Sequence, residues 1–181
     1  LFRSPLHMRL GERILIRRKQ IGSEDEAGTK EQWEEYRQSL NSEIEALGAA
    51  LDELRPATPG AFFLASSVGG VYAGNPSPPY SEHSEPMPLA PYGRAKLRAE
   101  RLVADWATAG GHSALMGRIS NLYGPGQNLE KPQGLVSQLC ANHVRRLPSS
   151  IWVNLDTIRD YIYVNDAADF ILDAMDRLAA D

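Results

Sequence analysis

Residues 61–74 read AFFLASSVGGVYAG. The first seven, AFFLASS, are a short continuous apolar run that ends in two hydroxyls, Ser66 and Ser67, and is bounded by glycines. It lacks the in/out alternation of a half-solvated strand, and a strand covered on both faces of a parallel sheet reads this way. Parallel strands are joined by long crossovers, usually helices, so helical patterns are expected on either side. Upstream, Trp33, Tyr36, Leu40, Ile44, Leu47, Leu51 and Leu54 recur every three or four residues and lay one apolar stripe along a helix over 31–54, ended by Arg55-Pro56. Downstream, six prolines between 74 and 91 predict an ordered or semi-rigid surface loop. A helix then starts near Pro91, presents Tyr92, Ala95, Ala99, Leu102, Val103 and Trp106 on one face, and closes at Gly110-Gly111.

The rest of the chain continues the alternation. HSALMGRI (112–119) reads as a strand, NLYGPGQN as a turn and 133–147 as a helix, while IWVNL and RDYIYV are short β-prone runs. Asn165 or Asp166 is placed to cap a last helix, DAADFILDAMDRL. Strands alternating with helices predict an α/β fold with a mostly parallel sheet and flanking helices. The first thirty residues are the least legible, with ERILIRR the one strand-like piece, so the chain divides into a segment 1–30 and a folded portion 31–181.

Composition narrows the function. The 181 residues suit one packed unit, and a net charge of -4 with a pI near 5.6 gives no general reason to expect nucleic acid or an anionic membrane as partner. Arg3, Arg9, Arg13, Arg17, Arg18 and Lys19 form a local basic stretch without interleaved aromatics, which reads as a solvated face. One cysteine, Cys140, rules out an internal disulfide. With no membrane-length apolar run and no signal-peptide pattern, the expected location is cytoplasmic. His7, His83, His112 and His143 have no metal-ligand spacing, so no metal site is expected. The Cys140/His143 pair reads as core or surface, and Glu82 and Glu85 in the proline-rich loop as solvated.

The chemistry is carried by PYGRAK, 91–96. Tyr92 and Lys96 stand at i and i+4, so their side chains meet one turn apart on one helix face. An ammonium beside a phenol favours phenolate, and such a phenol takes a proton from an alcohol or returns it. Taken alone the pattern is short. It gains weight from Ser66 and Ser67 at the carboxyl end of a strand, where open α/β sheets place their ligands.

Four motifs in this order and spacing, SSVGGVY (66–72), PYGRAK (91–96), RISNLYGPGQ (118–127) and RDYIYVND (159–166), resemble the extended short-chain dehydrogenases/reductases, the NAD-dependent epimerase/dehydratase family. The likeness covers roughly 35–181. It implies a Rossmann-like fold, NAD or NADP as cofactor, and a nucleotide-sugar or other small carbonyl or alcohol substrate. Tyr92 is then the acid/base, Lys96 holds the nicotinamide ribose and tunes Tyr92, and Ser67 hydrogen-bonds the reacting oxygen. Ser66, Tyr123 and Pro125 join Tyr92 and Lys96 on the cofactor side, with Tyr123 to Gln127 forming the adjoining loop. Asn121 near the substrate phosphates and Arg159 on the nucleotide diphosphate are the expected substrate contacts, although turn capping and a surface ion pair account equally for these two.

The likeness also implies a reaction: Tyr92 removes a sugar hydroxyl proton as hydride passes to the nicotinamide, and the keto sugar is reduced from its other face. An NAD(P)H-dependent carbonyl reductase uses the same residues without the second face. Val68 stands four residues before Tyr72, where many relatives carry the hydroxyl, so Ser67 serves only if the extra glycine shifts the turn. Gly69-Gly70 replaces the Asp-Glu pair common in the dehydratases and disfavours that reaction. The glycine-rich GxxGxxG turn that opens the family fold occurs nowhere in the sequence. The chain therefore reads as a fold incomplete at both ends, lacking the first βαβ unit and much of the substrate lobe, and a truncated, non-catalytic domain is the alternative outside enzymology. The likeness further implies a homodimer through a four-helix contact that includes the tyrosine-bearing helix, to which Leu97, Arg101 and the helix at 31–54 would contribute.

Overall fold

The computed structural model describes residues 26–54, 58–130, 134–149 and 157–180. The segment 1–25 with its basic stretch, the helix end at Arg55-Pro56, and IWVNL at 151–155 lie outside the described residues. The described chain forms two compact units, one reaching Arg118 and the other starting at Ile119.

In the first unit α1 spans Glu26–Leu54, β1 Ala61–Ser67, α2 Val68–Val71, α3 Pro91–Gly110 and β2 Ser113–Ile119. Helix α1 begins five residues before the start predicted at 31, because its first turns are polar and carry no periodicity. The stripe packs on α3 in two clusters. Leu51 is buried with Val103, Trp106 and Ala107 against Leu47, Phe62, Leu64, Leu102 and Met116. Tyr36 and Leu40 are buried with Ala95 against Trp33 and Tyr92. Leu54, the last member, is exposed. Pro91 opens α3, where its missing N–H is no loss, and Gly111 closes it at a φ of 68°, a conformation glycine adopts without strain.

Strand β1 pairs with β2 and packs against α3. Among the described residues the strands form two two-stranded sheets rather than the one sheet expected, and Ser66 is the one buried residue of β1. The expected glycine turn at 68–70 is instead the short helix α2, capped by the Ser67 hydroxyl, which accepts from the Gly70 amide at 3.2 Å. Two glycines bring α2 onto α3. A Cβ at Gly93 would fall 2.0 Å from the Gly70 carbonyl oxygen, and one at Gly70 would fall 2.9 Å from the Tyr92 ring. The proline-rich loop is ordered, as expected: the Gly74 amide donates to Met87 O, the Met87 amide to Val71 O, and Tyr72 stacks on Tyr80 at 4.9 Å.

A partly buried ion pair, with Glu100 buried and Arg118 part-exposed, ties α3 to both strands. Arg118 of β2 donates from Nε to Glu100 Oε1 at 3.0 Å and from Nη2 to Oε2 at 2.7 Å, while Ser66 of β1 donates to Oε1 at 2.5 Å. Arg118 also donates to the Tyr72 hydroxyl, which donates to Ser81 O in the loop. Burial alone would push the Glu100 carboxyl up, but the hydrogen bonds from Arg118 and Ser66 and the charges of Arg118 and Lys96 outweigh it and leave the group below its ordinary value. The bond to Glu100 likewise raises the Arg118 guanidinium.

In the second unit β3 spans Asn121–Tyr123, α4 Leu135–Arg145, β4 Tyr161–Tyr163 and α5 Val164–Ala180. Strands β3 and β4 pair in parallel, Asn121 opposite Tyr161 and Tyr123 opposite Tyr163. The last helix starts at Val164, so Asn165 and Asp166 lie inside its first turn rather than at its cap; β4 runs into α5 with no loop in which a cap could stand. Asp166 there still complements the helix dipole.

The glycine contact and the ion pair both bear on stability. Gly93→Ala should destabilise the protein by about 1–3 kcal/mol or more in urea unfolding, because the clash is with backbone, whereas Gly69→Ala, with nothing within 4 Å, should be neutral or slightly stabilising. Glu100→Ala should cost about 1–3 kcal/mol by leaving the partly exposed Arg118 without its counterion. Since the folded Glu100 carboxyl titrates below its unfolded value, its contribution is full above the unfolded pKa and is lost as pH falls through the folded one. The urea midpoint should therefore drop on acidification below about pH 4.3, with a shallower drop in Glu100→Ala.

Candidate active site

Four of the expected site residues, Ser66, Ser67, Tyr92 and Lys96, fall in the first unit, and their contacts link them. Lys96 Nζ lies 5.6 Å from the centre of the Tyr92 ring and donates to Ala65 O at 3.0 Å. The lysine is thereby anchored at the carboxyl end of β1, one residue before Ser66 and two before Ser67. Tyr92 is half-buried, its ring held between Gly70 and the Tyr36 cluster. Ser67 accepts from Gly70, the residue on which that ring rests, so the cap that shapes α2 also sets the serine beside the tyrosine's neighbour. The Ser67 hydroxyl accepts in this bond, which leaves its own O–H to donate. Ser66 stands differently: its side chain is buried and its O–H is directed to Glu100, inward from the end of β1. Its side chain thus joins the network beneath the site, and the cofactor-side role expected of it has no support in this placement.

The other four lie in the second unit. Asn121 is exposed and its side-chain amide donates to Asp160 O at 2.8 Å, alongside a backbone bond to the same carbonyl. It bridges β3 to the residue before β4, a bond across 39 residues of chain and so not the turn cap weighed from the sequence. Arg159 is exposed. Tyr123 packs at 5.6 Å from Tyr163 and edge-on to Tyr161 at 6.5 Å. Gly124 follows at a φ of 129°, and any Cβ there would meet the Tyr163 ring at 2.7 Å, so this turn needs glycine twice over. Tyr123 and Pro125 line a cavity of about 600 Å³ with Gln127, Ser137, Cys140 and Val144. Its walls are mainly apolar, with Ser137 donating to the Gln127 side chain.

Glu100, Arg118 and Tyr72 had no place in the expected site, yet they support it. A signal was available: Glu100 continues the four-residue spacing of Tyr92 and Lys96, beside Ala99 on the apolar side of α3, and Arg118 is the one charge in the run SALMGRI. Charged residues at core positions are found where they are paired. Among the described residues no cluster of His, Cys, Asp and Glu could hold a metal, and no helix is long and apolar enough to cross a membrane.

Comparison with known proteins identifies the family. The model of the NAD dependent epimerase/dehydratase family matches residues 24–181. A UDP-glucose 4-epimerase from Azospirillum brasilense is 32% identical over 147 residues, 74% of this chain and 41% of that protein. A dTDP-4-dehydro-6-deoxyglucose reductase from Escherichia coli is 33% identical over 103 residues, 57% of this chain and 32% of that one. Among solved structures, UDP-glucose 4-epimerase from Thermotoga maritima with UDP-glucose superposes with a TM-score of 0.65 at 29% identity, covering 69% of this chain and 41% of that chain. UDP-glucuronic acid 4-epimerase from Bacillus cereus, in complex with UDP-glucuronic acid and NAD, gives 0.62 at 26% identity over 72% and 40%. The chain thus spans less than half the length of these relatives. With an α/β, Rossmann-like fold and a family match over most of its length, the chain belongs to the NAD-dependent epimerase/dehydratase family.

Proposed function

We propose that this chain carries the proton-transfer half of a nucleotide-sugar 4-epimerase site, with Tyr92 as acid/base, Lys96 as its charged partner and Ser67 as hydrogen-bond donor to the reacting oxygen. The observation that carries the reading is Lys96, 5.6 Å from the Tyr92 ring and anchored to Ala65 O at the end of β1. A phenol beside an ammonium takes the proton of a sugar hydroxyl and returns it, and the nearby cation stabilises the phenolate in between. The donor set fits the nicotinamide ribose of NAD, whose hydroxyls both accept and donate; Lys96 and Tyr92 are the residues to hold it. When bound, NAD supplies the hydride acceptor and donor. Asn121 and Arg159 are the residues proposed for the nucleotide diphosphate, Arg159 through the bidentate geometry a guanidinium offers phosphate.

Gly70 weighs against a dehydratase. Its missing side chain is a packing requirement, since even a Cβ there meets the Tyr92 ring at 2.9 Å, so no acidic side chain stands at that position beside the tyrosine. A second reading, an NAD(P)H-dependent sugar reductase, is favoured by the 33% identity to the dTDP-4-dehydro-6-deoxyglucose reductase.

Cofactor titration tests the binding half: with NAD or NADH at millimolar concentration the melting temperature should rise and tryptophan fluorescence should fall, and a chain unmoved by either cofactor is the non-catalytic domain instead. In a preparation that binds and turns over UDP-glucose, Tyr92→Phe should lower kcat by about 10²–10⁴-fold and leave cofactor affinity within a few fold. An epimerase leaves the NADH absorbance unchanged at steady state, whereas a reductase consumes it with product; that single trace separates the two reactions.

A further inference from the structure

Three side chains on α3, Tyr92, Lys96 and Glu100, follow one another at four-residue intervals and so share one helix face. Consecutive groups of β1 grip consecutive turns of that face: the Ala65 carbonyl accepts from Lys96, and the Ser66 hydroxyl donates to Glu100. The carboxylate is held at both oxygens by Arg118 and is 8% exposed. A group so fully fixed, next in line to the lysine, does more than join helix to sheet. We propose that Glu100 is a positioning residue for Lys96: an anion locked one turn beyond the lysine, which keeps its ammonium charged and its arm drawn to the carboxyl end of β1.

The proposal rests on the reading of Lys96 as the partner of Tyr92. The electrostatics agree in direction, since the charge of Lys96 is among the causes that lower Glu100, after burial and the bonds from Arg118 and Ser66. Coupling of this kind is reciprocal, so Glu100 favours the lysine's charged form by as much as the lysine favours the carboxylate. Several other polar groups on the packed elements have partners of their own. Arg118 comes from β2, Ser66 from β1 and Tyr72 from the start of the loop. From α1, Asn41 accepts from Arg98 at 2.7 Å, Glu34 pairs with Arg37 on the surface, and Tyr36 lies in the cluster with Tyr92. Among these groups Glu100 alone is an anion bonded to the strand that also anchors Lys96.

Lysine reactivity tests it without cofactor or substrate. Reductive methylation at neutral pH, followed by peptide mass spectrometry, gives the labelling rate of Lys96 relative to exposed Lys30 in the same molecule. Loss of the carboxylate should shift the amine equilibrium by on the order of half a pH unit, so Glu100→Gln should raise that ratio about threefold. Glu100→Asp, which keeps the charge, should bring it back toward the parent value. An unchanged ratio in folded Glu100→Gln overturns the proposal and leaves Glu100 a purely structural ion. If Glu100→Gln does not fold, the same ratio is read in the double variant E100Q/R118M, where neither charge is left without its partner. A raised ratio there supports the proposal; failure of both variants to fold overturns it, because the pair would then be needed for folding before it could position anything. The labelling does not pass through Tyr92, so undiminished turnover in Tyr92→Phe would sink the acid/base reading and leave this result standing.

Discussion

The first unit depends on the contact of Gly93 with Gly70. A helix carrying a tyrosine and a lysine is common, but one whose first turn lies against the backbone of the segment following β1 requires the absence of two side chains. Gly93 meets the Gly70 carbonyl at a distance no Cβ could share, and Gly70 meets the ring of Tyr92. Everything said of Tyr92 follows from that approach. The ring is wedged between the α2 backbone and the buried face of α1, and its neighbour Ser67 caps the same short helix. The PYG of the motif is therefore a packing statement: proline starts the helix, tyrosine fills the gap and glycine permits it.

The ion pair at the other end of that face needs its own account, since burying the Glu100 carboxylate and part of the Arg118 guanidinium carries a desolvation cost. Glu100 and Arg118 meet that cost with geometry: both carboxylate oxygens are bonded by the guanidinium, a serine completes one of them, and a tyrosine hydroxyl receives the remaining arm of Arg118. Leucines of similar volume would hold α3 to the strands as well. They would not set a negative charge one turn from Lys96, and they would not reach through Tyr72 to the loop that feeds Pro91.

Much of this was legible in the sequence because it depended on local signals. The α1 stripe, the run AFFLASS, the proline at the start of α3 and the glycine at its end each named an element that the structure contains. Features decided by tertiary contact were not legible. Ser66 and Ser67 look alike beside each other in the chain, yet strand alternation turns one inward to Glu100 and leaves the other at the cap of α2. The glycines at 69 and 70 suggested a turn, because their low helix propensity conceals that a single helical turn under Tyr92 needs one of them for clearance. Val164 opened the last helix without a capping side chain, since β4 delivers the chain directly into it. Asn121 was ambiguous between ligand and local bond, and its bond to Asp160 O depends on the pairing of β3 with β4, which spans forty residues of sequence.

The residues proposed for proton transfer and those proposed for the nucleotide sort along the chain. The contacts described for Tyr92 and Lys96, with Ala65, Gly70 and the cluster of Trp33, Tyr36, Leu40 and Ala95, lie in the first unit. Asn121, Tyr123, Pro125 and Arg159 stand on the turns of the second. Proton chemistry on an alcohol asks for a phenol and a cation at a fixed distance, and in the first unit Lys96 Nζ stands 5.6 Å from the centre of the Tyr92 ring. The choice of alcohol, and whether the ketone is reduced from one face or two, depends on how the rest of the sugar is held. The same pair can thus serve epimerase and reductase alike, which is consistent with relatives of both kinds resembling this chain to nearly the same degree.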